Sequence, residues 1–144
     1  MIKKNMFNLA LSQNSITIRF SATLENVDES VVEIKKFIGD VIQNEDIFAI
    51  VLAVREALTN SVKHGCKFDP HKKVMFSLQL ENNKIMMEIE DEGNGFDWHT
   101  HIKRKKKVPI LETSGRGIKI MKAYFPDVKF NEKGNKLTFK KNIN

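Results

Sequence analysis

Asp46-Ile-Phe-Ala-Ile-Val-Leu-Ala-Val-Arg-Glu56-Ala-Leu-Thr-Asn60-Ser-Val-Lys-His64-Gly65 is the stretch on which the fold turns. Asp46 reads as an N-cap and Gly65 as a stop, which predicts one helix between them. Eight apolar residues, Ile47 to Val54, run without a break, so the first half is expected to be buried on most sides. Steps of four along one face give Phe48, Leu52, Glu56, Asn60 and His64. That stripe starts apolar and turns polar halfway. Burying an unpartnered polar group costs about 2–7 kcal/mol, so the polar half is expected to face water or a bound polar ligand.

Upstream, Ile16, Ile18 and Phe20 alternate with polar residues and predict a strand. Leu24, Val27, Val31, Ile34, Ile38 and Val41 follow at spacings of three and four, one stripe of an amphipathic helix. Downstream, Val74, Phe76, Leu78 and Leu80 alternate, Glu81-Asn82-Asn83-Lys84 predicts a hairpin turn, and Ile85, Met87 and Ile89 alternate again. Asp91 keeps the parity of that last set, so its carboxylate is expected on the core side at the strand's end. Residues 92–113 read as loop, and Ser114 as the N-cap of a short helix carrying Ile118, Met121 and Tyr124, ended by Pro126. Val128 and Phe130 pair with Leu137 and Phe139 across a turn at Gly134. The order predicts an α+β two-layer sandwich with a mixed, mostly antiparallel sheet and its helices on one face.

The chain has 144 residues, of which 24 are Lys or Arg and 18 are Asp or Glu, and 41% are hydrophobic. One domain, residues 1–144, is expected from that length, and disorder is not. No apolar run is long enough to span a bilayer. The start shows no export signal, so a soluble cytoplasmic protein is expected. Cys66 is the one cysteine, which excludes an internal disulfide framework and a cysteine-rich zinc site. The net charge is +6, and five of the 24 positive charges fall in one segment, Lys103-Arg-Lys-Lys-Lys107. A basic run of this kind fits a polyphosphate ligand, a nucleic-acid backbone or plain solvated surface. It has no interleaved aromatics, and neither nucleic acid nor membrane is the expected partner.

Gly93-Asn-Gly95 and Gly115-Arg-Gly117 lack the third glycine of a dinucleotide fingerprint, and there is no Gly-Lys-Ser/Thr of a P-loop. Asp91-Glu-Gly-Asn-Gly-Phe-Asp97 fails as a calcium loop, because its twelfth position is Ile102 where a bidentate glutamate is needed. His99 and His101 lack an evident third zinc ligand.

Three motifs in order are more specific than any one: Glu56-Ala-Leu-Thr-Asn60-Ser-Val-Lys-His64-Gly65, Asp91-Glu-Gly93-Asn-Gly95-Phe-Asp97 and Ser114-Gly115-Arg-Gly117-Ile-Lys-Ile-Met121. Together they resemble the GHKL ATPases, which bind ATP in the Bergerat fold, over about residues 16–139. The length and the form of the first motif are similar to the anti-sigma-factor serine/threonine kinase branch. The resemblance implies ATP and Mg2+ as cofactors, Asn60 as the magnesium ligand, Glu56 as the general base and Asp91 as the acceptor for the adenine amine. It implies nucleotide contacts from Gly93, Gly95, Ser114, Gly115, Arg116 and Gly117, and an ATP lid between Trp98 and Thr113. A single protein ligand suits magnesium, which keeps most of its waters. A helix N-terminus opened by glycines suits phosphate. One departure stands out: the family's Gly-Thr before the last strand is Gly134-Asn135 here.

The function implied is a partner-switching kinase. It would move the ATP γ-phosphate to a serine or threonine of a small anti-anti-sigma antagonist, bind a sigma factor, and form a homodimer. The alternative is an ATP-dependent binding module without phosphotransfer, which would be indifferent to Glu56.

Overall fold

In the computed structural model, residues 5–42, 44–93, 123–125 and 127–143 are described. The elements run β1 (Phe7–Leu11), β2 (Ser15–Ser21), α1 (Leu24–Ile38), α2 (Asn44–Asn60), a π turn (Ser61–Gly65), β3 (Lys73–Glu81), β4 (Lys84–Asp91), β5 (Asp127–Phe130) and β6 (Lys136–Asn142). The strands form one sheet in the order β1-β2-β3-β4-β6-β5. Every described pairing is antiparallel. This is the α+β sandwich expected.

Period-two burial fixes the register. Ile18 faces Phe76, Phe76 faces Ile89, and Ile89 faces Leu137, so one row of apolar side chains crosses four strands on the helix side. All four are buried. The other face carries Thr17, Arg19, Ser77, Glu88 and Thr138 and is polar. Asn82 and Asn83 have φ of 52° and 62°, the left-handed pair that a tight type I′ hairpin requires.

Thr23 caps α1 by accepting from the Asn26 N–H at 3.1 Å, worth about 1 kcal/mol. The helix ends at Gly39, so Val41 falls outside the stripe expected to contain it and is exposed. α2 starts at Asn44. Asp46 therefore sits inside the first turn, where its Oδ1 accepts from the Tyr124 hydroxyl. Buried Ile50, Ala53, Val54, Ala57 and Leu58 give α2 a single core-facing stripe. A helix in a two-layer fold has one covered face, so the unbroken apolar run is not buried all round: Phe48 is 72% exposed.

β1 is an edge strand, with Phe7 opposite Phe20 and Leu9 opposite Ile18. It carries no charge, and Leu9 and Leu11 are exposed. Ala123 and Tyr124 are helical, as expected for the third helix; the rest of that segment lies outside the described residues.

Candidate nucleotide site

The polar half of the α2 stripe lies inside the protein, reversing the gradient that its sequence suggests. Phe48 is exposed, Leu52 and Glu56 are half-buried, and Asn60 is only 1% exposed. Both amide atoms of Asn60, Oδ1 and Nδ2, are buried without a hydrogen-bond partner. Each such orphan costs about 1–3 kcal/mol, so nothing in the packing of the described residues explains the amide. Four residues earlier, Glu56 has one carboxylate oxygen buried without a partner. Burial pushes its carboxyl up to about 7, with nearby Lys63 pulling the other way.

After Asn60 the helix widens into the π turn, where the Cys66 N–H donates to the Ser61 carbonyl at 2.8 Å. Such turns recur at functional sites. Lys67 and Phe68 then both take left-handed backbone, φ 53° and 61°, at a cost of about 1–3 kcal/mol each. The helix thus reaches Gly65 as expected, but by a different geometry. Cys66 is buried and donates to the Lys73 carbonyl; burial pushes its thiol up to about 11, which leaves it unreactive.

Asp91 ends β4 on the helix side, as its parity predicts, and is 6% exposed. Burial holds its carboxyl above the ordinary carboxylate range, opposed by hydrogen bonds from the Gly93 N–H (2.8 Å to Oδ1) and the Ser61 side chain. Gly65 lies flat against this carboxylate: a Cβ there would stand 2.6 Å from Asp91 Cγ. A Cβ on Gly93 would overlap the Gly65 carbonyl. Gly93 is therefore demanded by contact with the π turn, whatever it offers a ligand.

Sequence reasoning missed Ser61 and the packing role of Gly65. Ser61 follows Asn60 directly, and its side chain is turned about 100° from it, onto the buried face of Ala57, where it bonds Asp91. Gly65 gives a sign test. In a helix, Gly→Ala ordinarily stabilises by about 1 kcal/mol, whereas the collision with Asp91 costs about 1–3 kcal/mol. Gly65→Ala is expected to lower the urea midpoint; a raised midpoint would mean that the carboxylate yields freely.

The structure thus brings Glu56, Asn60, Asp91 and Gly93 to one end of the sandwich. Gly95, Ser114, Gly115, Arg116, Gly117, the lid and the basic run lie outside the described residues. Among the described residues, no three His, Cys, Asp or Glu side chains gather to hold a metal. A cation at Asn60 would take one amide oxygen from the chain, and the rest of its shell from phosphate and water. The orphaned amide fits that demand.

Comparison with known proteins identifies the family and the fold. The model of the histidine kinase-like ATPase domain matches residues 20–141. An anti-sigma F factor of Bacillus subtilis is 32% identical over 122 residues, covering 81% of this chain and 82% of that protein. One from Clostridium perfringens is 28% identical over 137 residues, covering 91% and 98%. A solved histidine kinase domain from the Erythrobacter litoralis EL346 blue-light activated kinase shares the fold, with a TM-score of 0.52 at 14% identity. The match covers 86% of this chain and 62% of that one, under two thirds of its length.

Proposed function

The chain belongs to the histidine kinase-like ATPase domain family, and from that footing we propose that residues 1–144 form one ATP-binding domain acting as a partner-switching protein serine/threonine kinase. The observation that carries this reading is the buried Asn60 amide with both ends unpartnered, one turn beyond a half-buried glutamate and next to Ser61, which bonds Asp91. Asn60 offers Oδ1 to magnesium, which supplies charge neutralisation on the phosphates when bound. Asp91 accepts from the adenine amine, an interaction that guanine, with a carbonyl at that position, does not offer.

Glu56 takes the proton of the attacking serine or threonine hydroxyl. The new bond forms from that oxygen to the γ-phosphorus, the bond to the β–γ bridging oxygen breaks, and ADP leaves. Phosphoryl transfer demands mainly positioning and charge neutralisation, so one base beside one amide is a sufficient protein contribution at this end.

The names of the relatives support a regulator that engages a sigma factor; a small anti-anti-sigma substrate belongs to the same proposal. A homodimer belongs to the same reading, supported by the uncharged edge strand β1 with its exposed leucines. A cytoplasmic location agrees with it, and no described helix is long and apolar enough to cross a membrane.

The test is calorimetric titration of the whole chain with ATP, with and without magnesium, followed by transfer of labelled γ-phosphate to a purified anti-anti-sigma protein. Magnesium-dependent binding with transfer is expected. Absence of binding to the wild type would overturn the reading. In the same assay, Asp91→Asn is expected to reduce the preference for ATP over ITP at least about tenfold, the worth of one hydrogen bond to a charged group. Unchanged preference would remove Asp91 from the site.

A further inference from the structure

We propose that Asn135 is a positioning residue for adenine recognition, holding the main chain of Asp91 from both sides. The proposal rests on the adenine-reading role given to Asp91 above. The regular ladder between β4 and β6 ends at Glu90 opposite Lys136. One step further, the Asp91 N–H donates to the Asn135 carbonyl at 2.9 Å, and the Asn135 Nδ2 donates to the Asp91 carbonyl at 2.9 Å. One residue thus ties both main-chain polar groups of Asp91. The dihedrals on either side of its Cα are held, and with them the direction in which the carboxylate leaves the sheet.

The orientation of the Asn135 amide is itself fixed. Its Oδ1 accepts from Asn131 Nδ2 at 2.7 Å, which turns its Nδ2 toward Asp91. Asn131 is anchored in turn. Its Oδ1 accepts from the N–H groups of Gly134, Asn135 and Lys136 at 2.8, 3.0 and 3.1 Å. Gly134, at φ 82°, supplies the left-handed residue that lets this turn close. The chain of contacts therefore runs Asn131 to Asn135 to Asp91, and ends at the carboxylate held by Gly93 and Ser61.

This gives a physical content to the departure at Gly134-Asn135. A threonine hydroxyl at 135 is a heavy atom shorter than an asparagine amide and does not span to the Asp91 carbonyl in the same way. Thr138 does not replace it: it pairs with Glu88 on the polar face of the sheet, opposite to Asp91.

The experiment compares wild type, Asn135→Ala, Asn135→Asp and the opposite-face control Thr138→Ala. Two readouts are taken: affinities for ATP and ITP, and amide hydrogen exchange of Gly93 without nucleotide. Gly93 donates to the Asp91 carboxylate, so its exchange reports carboxylate placement with no reference to activity. Both Asn135 variants are expected to speed Gly93 exchange, and to weaken ATP at least about tenfold while ITP changes less than about threefold. Thr138→Ala is expected to change neither. Wild-type exchange and a wild-type ATP-to-ITP ratio in the Asn135 variants would overturn the proposal while leaving the nucleotide site standing. A wild type that binds no ATP would instead overturn the functional reading, and the adenine role of Asn135 with it. Should Asn135→Ala fail to fold, Asn131→Asp, which keeps the oxygen that closes the turn and removes the orienting donor alone, is expected to shift both readouts the same way by less; no shift would count against the proposal.

Discussion

Asn60→Ala is expected to weaken ATP binding in magnesium at least about a hundredfold while leaving the nucleotide-free protein as stable as the wild type. The two halves of that expectation come from one fact, the unpartnered amide. Truncation at a buried site leaves a cavity, a loss on the order of 1–2 kcal/mol for so few atoms. It also removes a buried donor and acceptor that cost about 1–3 kcal/mol while unpaired. The terms oppose and nearly cancel. Asn26 supplies the contrast. It is as buried, but its Nδ2 donates to the Ser21 carbonyl at 2.9 Å and to Asn5 Oδ1 at 2.8 Å. Asn26→Ala therefore loses about 2 kcal/mol with nothing to offset it. Urea unfolding of both variants, beside ATP titrations, separates a ligand-facing amide from a structural one. Equal destabilisation by the two substitutions would make Asn60 structural.

Glu56→Gln is expected to slow phosphotransfer by about 10²–10⁴-fold, the range for loss of a general base, with ATP affinity changed less than about threefold. The carboxyl, pushed up to about 7 by burial, also sets a pH signature. A base must be ionised, so wild-type transfer is expected to rise with pH through about 7 and level above it; the residual rate of Glu56→Gln stays flat. Stability moves the opposite way. The folded carboxyl holds its proton more tightly than the unfolded one, whose value is near 4.5. The stability this contributes is complete below that value and lost as pH rises through about 7. At pH 8 the glutamine variant is therefore expected to be the more stable protein, by on the order of 1–2 kcal/mol after allowance for partial exposure. Rates measured from pH 5.5 to 8.5 test the first claim, and urea midpoints the second. A variant with full transfer would end the role of Glu56 as base, whereas a wild type that binds ATP and transfers nothing would leave an ATP-dependent binding module as the better reading.

What the sequence disclosed followed from periodicity under burial. β3 and β4 alternate along their length, and β2 as far as Phe20, because one sheet face is packed and the other wet, so parity alone placed Asp91 inside. The Asn82-Asn83 turn was legible because only a few residue types tolerate left-handed backbone. β1 was not, since Phe7–Leu11 is a short edge strand with little burial to discipline its pattern. The π turn had no signature, and with it went the reason for Gly65. Phe48 misled in another way: an apolar residue at helical spacing implies a covered face, and here that face is open. Asn135 was visible only as a departure from a motif, because its two bonds to Asp91 depend on a turn closed by Asn131 and Gly134.

Gly65, Asp91 and Gly93 touch one another, two of them demanding that the third stay where it is. In mutational libraries these positions act as one locus. A methyl group added at Gly65 pushes on Asp91, and one added at Gly93 pushes on Gly65, so randomising either glycine alone is expected to return glycine. Beyond an isosteric exchange at Asp91 itself, variation that alters nucleotide choice is therefore expected to enter from the rim, through Ser61 or the 131–135 turn, or to arrive as several simultaneous changes.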